Sequence, residues 1–209
     1  MLVSTLLLFF VSSVALAVTP GPTMLLALSN GISSGTRVAA YGIAGATLAS
    51  ACLIAAVAVG LGSLLLASET LFNLLRVLGV IYLCWLAYKL WRSEPAAIET
   101  GNMDKDTPHT SPKKAFLRCA TVSLSNPKAI LFFSAFLPQF VDAGQPLALQ
   151  YFILGAVFLS IDAMVMLAYA MAGKRAARLL SAAGLKMINR GCAVVMAMLA
   201  LALATFRRA

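Results

Sequence analysis

Charge is scarce in this chain, histidine is almost absent, and no two cysteines stand close together. Asp and Glu number 7 and Lys and Arg 16 among 209 residues, so 11% of the chain is charged and 61% hydrophobic. A soluble globule of this size needs more polar surface than that, which points to a membrane protein. The lone His109 stands in a polar stretch with Pro108, Thr110 and Pro112. A zinc site or a Ser, His and Asp triad is therefore not expected, and neither is any metal, other cofactor or catalytic residue. Cys52, Cys84, Cys119 and Cys192 form no CxxC pair and lie in or beside apolar segments. They read as small packing residues rather than disulfides or ligands. No Lys or Arg precedes Arg37, so the opening run lacks the basic region of a signal peptide, although Ala15, Leu16 and Ala17 resemble a cleavage site. Its hydrophobicity continues through residues 24–28. It reads as a first membrane helix.

What is present is a set of six apolar stretches, at about residues 2–29, 38–67, 71–90, 115–136, 147–172 and 187–206. Each reaches the roughly 20 residues that a helix needs to cross the hydrocarbon core. The fold expected is an all-α membrane protein with six transmembrane helices. The net charge of +9 is concentrated in two connections. Lys89, Arg92, Lys105, Lys113, Lys114 and Arg118 flank or occupy one, and Lys174, Arg175, Arg178, Lys186 and Arg190 the other. The two lie two crossings apart, hence on one side, and positive-inside asymmetry makes that side cytoplasmic. Both termini then lie outside, and Arg207 and Arg208 run against the bias. No aromatic residues interleave with these cations as in a strand-binding groove, so no nucleic-acid partner is expected.

Two of the six stretches are interrupted. Thr19, Pro20, Gly21 and Pro22 stand inside the first, and Asn126 and Pro127, followed by Lys128, inside the fourth. Proline removes a backbone donor and glycine relaxes helical geometry, where lipid leaves loose polar groups without partners. Such breaks are tolerated where the backbone lines a cavity. With three helices per half, the second half enters from the opposite side, so the halves would form a 3+3 inverted repeat with helices 1 and 4 broken. The units expected are residues 1–92, a cytoplasmic linker at 93–113 and residues 114–209. Pro, Glu, Asp, Thr and Lys dominate the linker, a composition too polar to order itself strongly.

The other features have structural explanations. Gly42, Gly45, Ala49 and Ala56 form a small-residue stripe on helix 2 that admits close approach of another backbone. Such faces permit a homodimer without requiring one. Tyr82, Trp85, Tyr88 and Trp91, with Lys89 and Arg92, suit an interfacial anchor, and Arg76 can snorkel to the outer interface. Phe132, Phe133, Phe136 and Phe140 suit packing or lipid contact better than a substrate cage, and Met164, Met166 and Met171 suit core filling.

Two charges stay in the membrane. A charge at mid-helix costs about 2.5 to 3.5 kcal/mol to insert, so Lys128 and Asp162 are functional candidates. Asp162 is either a neutral carboxyl group bonded across a helix pair or a proton-exchanging carboxylate, since burial disfavours its charged form. Lys128 follows a break where freed amides and a half-helix N-terminus already favour an anion such as a solute carboxylate. It could instead pair with Asp162 or snorkel toward the cytoplasm. An intramembrane enzyme is the rival class, but no base and nucleophile stand at a recognisable spacing. A non-transporting subunit of a larger assembly is another.

The ordered set of motifs resembles the LysE/RhtB family of bacterial amino-acid exporters over essentially the whole chain. It comprises Thr19, Pro20, Gly21 and Pro22, then Gly79, Tyr82, Leu83, Trp85, Leu86 and Lys89. Asn126, Pro127 and Lys128 follow, then Pro138, Gln139 and Phe140, and finally Asp162 with Tyr169. Ala87 stands where the family often has glycine. The resemblance implies a secondary transporter of the bacterial inner membrane with periplasmic termini. It implies export of homoserine, threonine, homoserine lactone or another neutral amino acid from the cytoplasm, driven by proton antiport. Substrate binding would fall to Thr19, Pro20, Gly21, Pro22, Asn126, Pro127 and Lys128, and proton coupling to Asp162.

Overall fold

The computed structural model describes residues 3–19, 21–67, 69–92, 110–142, 144–179 and 182–205. Pro20, Lys105, His109, Arg207 and Arg208 lie outside them, as does most of the expected linker, and so do the side chains of Arg76, Lys174, Arg175 and Arg178. Among the described residues the chain is all-helical: α1 (Val3–Val18), α2 (Pro22–Ala67), α3 (Glu69–Arg92), α4 (Pro112–Leu124), α5 (Pro127–Leu131), α6 (Leu147–Leu179) and α7 (Ala182–Thr205). A π-helical turn (Phe132–Phe136) and a 3₁₀ turn (Leu137–Phe140) continue from α5. The stretches Pro22–Gly60 and Leu147–Ala172 are each long and apolar enough to cross a membrane. The bent pair Pro112–Leu124 and Pro127–Phe140, which turns by 50°, makes a third candidate span.

Local chemistry explains where the helices start. Ser111 caps α4 by accepting from the Lys114 amide at 3.4 Å, with Pro112 in the first turn. Asn126 and Pro127 repeat this pattern at α5. Proline at the first position loses nothing, because that amide has no intrahelical acceptor anyway. Inside α2, Gly35 departs from helical geometry at φ 84 and ψ 169. A residue with a Cβ is strained at positive φ, so glycine permits the interruption.

Packing joins the two ends of the sequence. α2 packs mainly on α4 and α6, α3 on α7, and α1 on α6 and α7. The stripe on α2 works as expected at Gly42, Gly45 and Ala49, which are buried. A Cβ at Gly45 would collide with the Phe116 carbonyl oxygen of α4, and one at Gly42 would come within 2.9 Å of the Cys119 Sγ. Backbone contact this close replaces the hydrophobic drive that lipid cannot supply. Ala56 lies beyond the seam and is exposed.

The main core forms around Phe132, Phe133, Phe136 and Phe140, all buried. Phe133 meets Phe158 of α6 edge-on at 4.9 Å, and Phe140 meets Phe9 of α1 at 5.1 Å. These rings are interhelical packing, not lipid-facing. The methionines divide differently from the expectation of core filling: Met166 is buried, whereas Met164 and Met171 are exposed, because they stand on the opposite side of α6. All four cysteines are free thiols, with Cys52 and Cys84 exposed. At the end of α3, Trp85, Tyr88 and Trp91 are exposed and receive Lys89, Arg92 and Arg190 over their rings. Tyr82 differs from them in being buried in the core.

Candidate functional site

The break in the first apolar segment leaves α1 ending at Val18 and α2 starting at Pro22. The last carbonyls of a helix have no intrahelical donor, and lipid offers none. The Ala15 carbonyl still accepts the Thr19 amide at 3.2 Å and takes the Thr19 Oγ1 as a second donor at 2.7 Å. Lys128 satisfies two carbonyls beyond it. Its Nζ donates to the Leu16 carbonyl at 2.6 Å and to the Thr19 carbonyl at 2.9 Å. An ammonium group here also complements the negative end of the α1 dipole.

The second break is satisfied from within its own segment. The Ser125 amide donates to the Thr121 carbonyl at 3.0 Å and the Asn126 amide to the Ser123 carbonyl at 3.2 Å, closing the end of α4. The Asn126 Oδ1 accepts from the Lys128 amide at 3.1 Å, opening α5. The Asn126 Nδ2 then reaches Thr23, at the start of α2, with a hydrogen bond of 3.5 Å to its Oγ1. The two breaks, about a hundred residues apart in sequence, therefore meet.

Between them lies a cavity of about 50 Å³. That is room for a few water molecules. Thr19, Gly21, Thr23 and Met24 line it from the first break, Ser123, Asn126, Lys128 and Ala129 from the second, Ser50 from α2, and Phe158, Asp162 and Met166 from α6. Lys128 and Asp162 are its charged side chains, and they lie close enough to attract one another. No direct ion pair or hydrogen bond joins them, and the Asp162 carboxylate accepts no hydrogen bond from the described residues. The cavity thus combines an ammonium held by backbone carbonyls, an open carboxylate and four hydroxyl groups in an apolar surround. Such a set can hold a small zwitterion.

Of the residues expected at a site, Thr19, Gly21, Asn126, Lys128 and Asp162 come together around this cavity. Pro22 and Pro127 shape the breaks without lining it, and both are exposed. The helix-capping contacts of Lys128 are a finding that sequence reasoning missed, since it weighed only solute, Asp162 and the interface as partners. Thr23, Ser50 and Ser123 were missed as well. Their signal was present: each is a hydroxyl in an apolar run, and Thr23 and Ser123 stand within three residues of a break.

Over residues 14–206 the chain matches the family model described as LysE type translocator. It is 35% identical over 169 residues to the homoserine/homoserine lactone efflux protein of Salmonella typhi, covering 81% of this chain and 80% of that one. It is 35% identical over 137 residues to the leucine efflux protein of Klebsiella pneumoniae subsp. pneumoniae, covering 65% and 63%. A Vibrio cholerae protein described as an uncharacterized membrane protein is 35% identical over 164 residues, 78% of each chain. No solved structure matches. With its long apolar helices and this likeness along nearly its whole length, the chain is a multi-pass membrane protein that belongs to the LysE type translocator family.

Proposed function

We propose that this protein exports neutral amino acids or close derivatives from the cytoplasm by proton antiport. The observation that carries the reading is the cavity where the two helix breaks meet, with Lys128 and Asp162 on its wall. Relatives named for efflux of homoserine, homoserine lactone and leucine support the substrate class. The solute carboxylate binds beside Lys128 and the amides that open α2, and the solute ammonium binds at Asp162. A carboxylate that binds either a proton or an ammonium, but not both, couples the two fluxes in opposite directions.

Six crossings arranged as two inverted triplets account for the helix lengths. The stretch Pro22–Gly60 holds 39 residues, about 58 Å of helix at 1.5 Å per residue, nearly twice a hydrocarbon core of about 30 Å. Gly35 divides it, so that α1 with the start of α2 makes the first crossing and the rest of α2 the second. α4, α5 and the π turn together make the fourth. Both termini are then periplasmic in an inner-membrane protein. The cavity in this conformation is smaller than an amino acid, so loading requires one triplet to rock against the other, opening the site to each side in turn.

The test is efflux from proteoliposomes containing the purified protein alone. A pH gradient drives homoserine, threonine or leucine transport by the wild type, and Asp162→Asn uncouples it from the gradient. Full gradient-driven transport by Asp162→Asn would falsify the coupling role. No transport of any amino acid by the wild type would remove the function, leaving a subunit role.

A further inference from the structure

We infer that Ser50, with Ser123 behind it, is the specificity-determining hydroxyl of the cavity, an acceptor for a hydrogen-bond donor on the solute side chain. The inference rests on the amino-acid transport proposed above and deepens it. Both serines are buried, both line the cavity, and they come from different halves of the chain. Their oxygens lie 3.2 Å apart.

The direction of these bonds follows from proton counting. Ser123 Oγ donates to the Ala46 carbonyl of α2 at 3.3 Å. Ala46 stands four residues before Ser50, so Ser123 occupies the carbonyl that a helical serine ordinarily uses for its own hydroxyl proton. A hydroxyl has a single proton. Ser123 has spent its proton on Ala46, so the bond between the serines runs from Ser50 to Ser123. Ser50 Oγ is then a donor that has used its proton, and its lone pairs receive no donor from the described residues. It presents acceptor capacity to a solute.

The charged groups leave this oxygen for the side chain. Under the proposed reading, Asp162 takes the solute ammonium, and Lys128 with the α2 amides takes its carboxylate. Thr19, Thr23 and Asn126 line the wall beside the two breaks; the rest of it is apolar, formed by Met24, Ala129, Phe158 and Met166, with the serine pair set into that apolar part. A hydroxylated side chain satisfies Ser50. An aliphatic side chain of equal size leaves it without a donor, so such a solute binds less tightly by the worth of that one hydrogen bond.

The experiment is competition and efflux in proteoliposomes with homoserine against norvaline, which replaces the terminal hydroxyl by a methyl group. The wild type is expected to prefer homoserine by about tenfold, the worth of one buried hydrogen bond. Ser50→Ala is expected to bring the ratio near one, mainly by losing homoserine, while norvaline transport persists. Ser50→Thr keeps the hydroxyl and is expected to keep the preference, which guards against a loss due to folding. An unchanged ratio in an active Ser50→Ala protein overturns the inference while leaving amino-acid transport standing. A wild type that transports neither solute overturns both.

Discussion

The two helix breaks use the same residue, proline at the start of a following helix, yet they are satisfied in opposite ways. The break after Leu124 closes itself, with Ser125 and Asn126 bonding back to the end of α4 and Asn126 capping α5. The break after Val18 depends on a distant side chain, because the Leu16 and Thr19 carbonyls both take their donor from Lys128. One break is therefore a fixed element and the other is held against it. Packing on α6 and α7 holds the body of α1, while the carbonyls at its end rely on that one ammonium.

The largest test of that asymmetry removes the ammonium. Lys128→Met strips two carbonyls of their donor and should cost about 2 to 3 kcal/mol, read as a lowered midpoint of thermal unfolding in detergent, with efflux abolished. Hydrogen exchange should rise first at the end of α1 and stay slow across α4. Equal loss of protection in both helices would show that neither break is subordinate. Lys128→Arg should recover part of the stability, since a guanidinium also donates to carbonyls.

Removing the self-cap should have a smaller and more local effect. Asn126→Ala should cost about 1 kcal/mol, the usual worth of a helix N-cap, and should loosen α5 rather than α1. The smallest effect expected is the coupling between the breaks. A double-mutant cycle of Asn126→Ala with Thr23→Ala should give about 0.5 kcal/mol, as suits one long hydrogen bond. A coupling of zero would mean that the breaks are joined through Lys128 alone.

Much of this was legible in the sequence because membrane physics leaves few solutions. Apolar runs of sufficient length must be helices, and prolines within them must mark breaks. Hence Thr19, Gly21, Asn126, Lys128 and Asp162 could be named before any coordinate. The sequence could not say that Lys128 would cap α1, because its partners are backbone carbonyls that every residue carries. Nor could it pick Ser50 and Ser123 from the other serines, since a serine in an apolar helix ordinarily bonds its own turn. The methionines misled for a related reason: exposed and buried faces of α6 are both apolar in a membrane, so composition cannot separate them.

By itself, the sequence determined an all-helical membrane chain, its interruptions and its family, since these follow from hydrophobicity, from proline geometry and from ordered motifs along one strand of text. Only the tertiary structure decided that the interruptions face each other across one cavity and that the second supports the first. The reason is physical: a helix end fixes which groups lack partners, but the fold alone brings the donor to them.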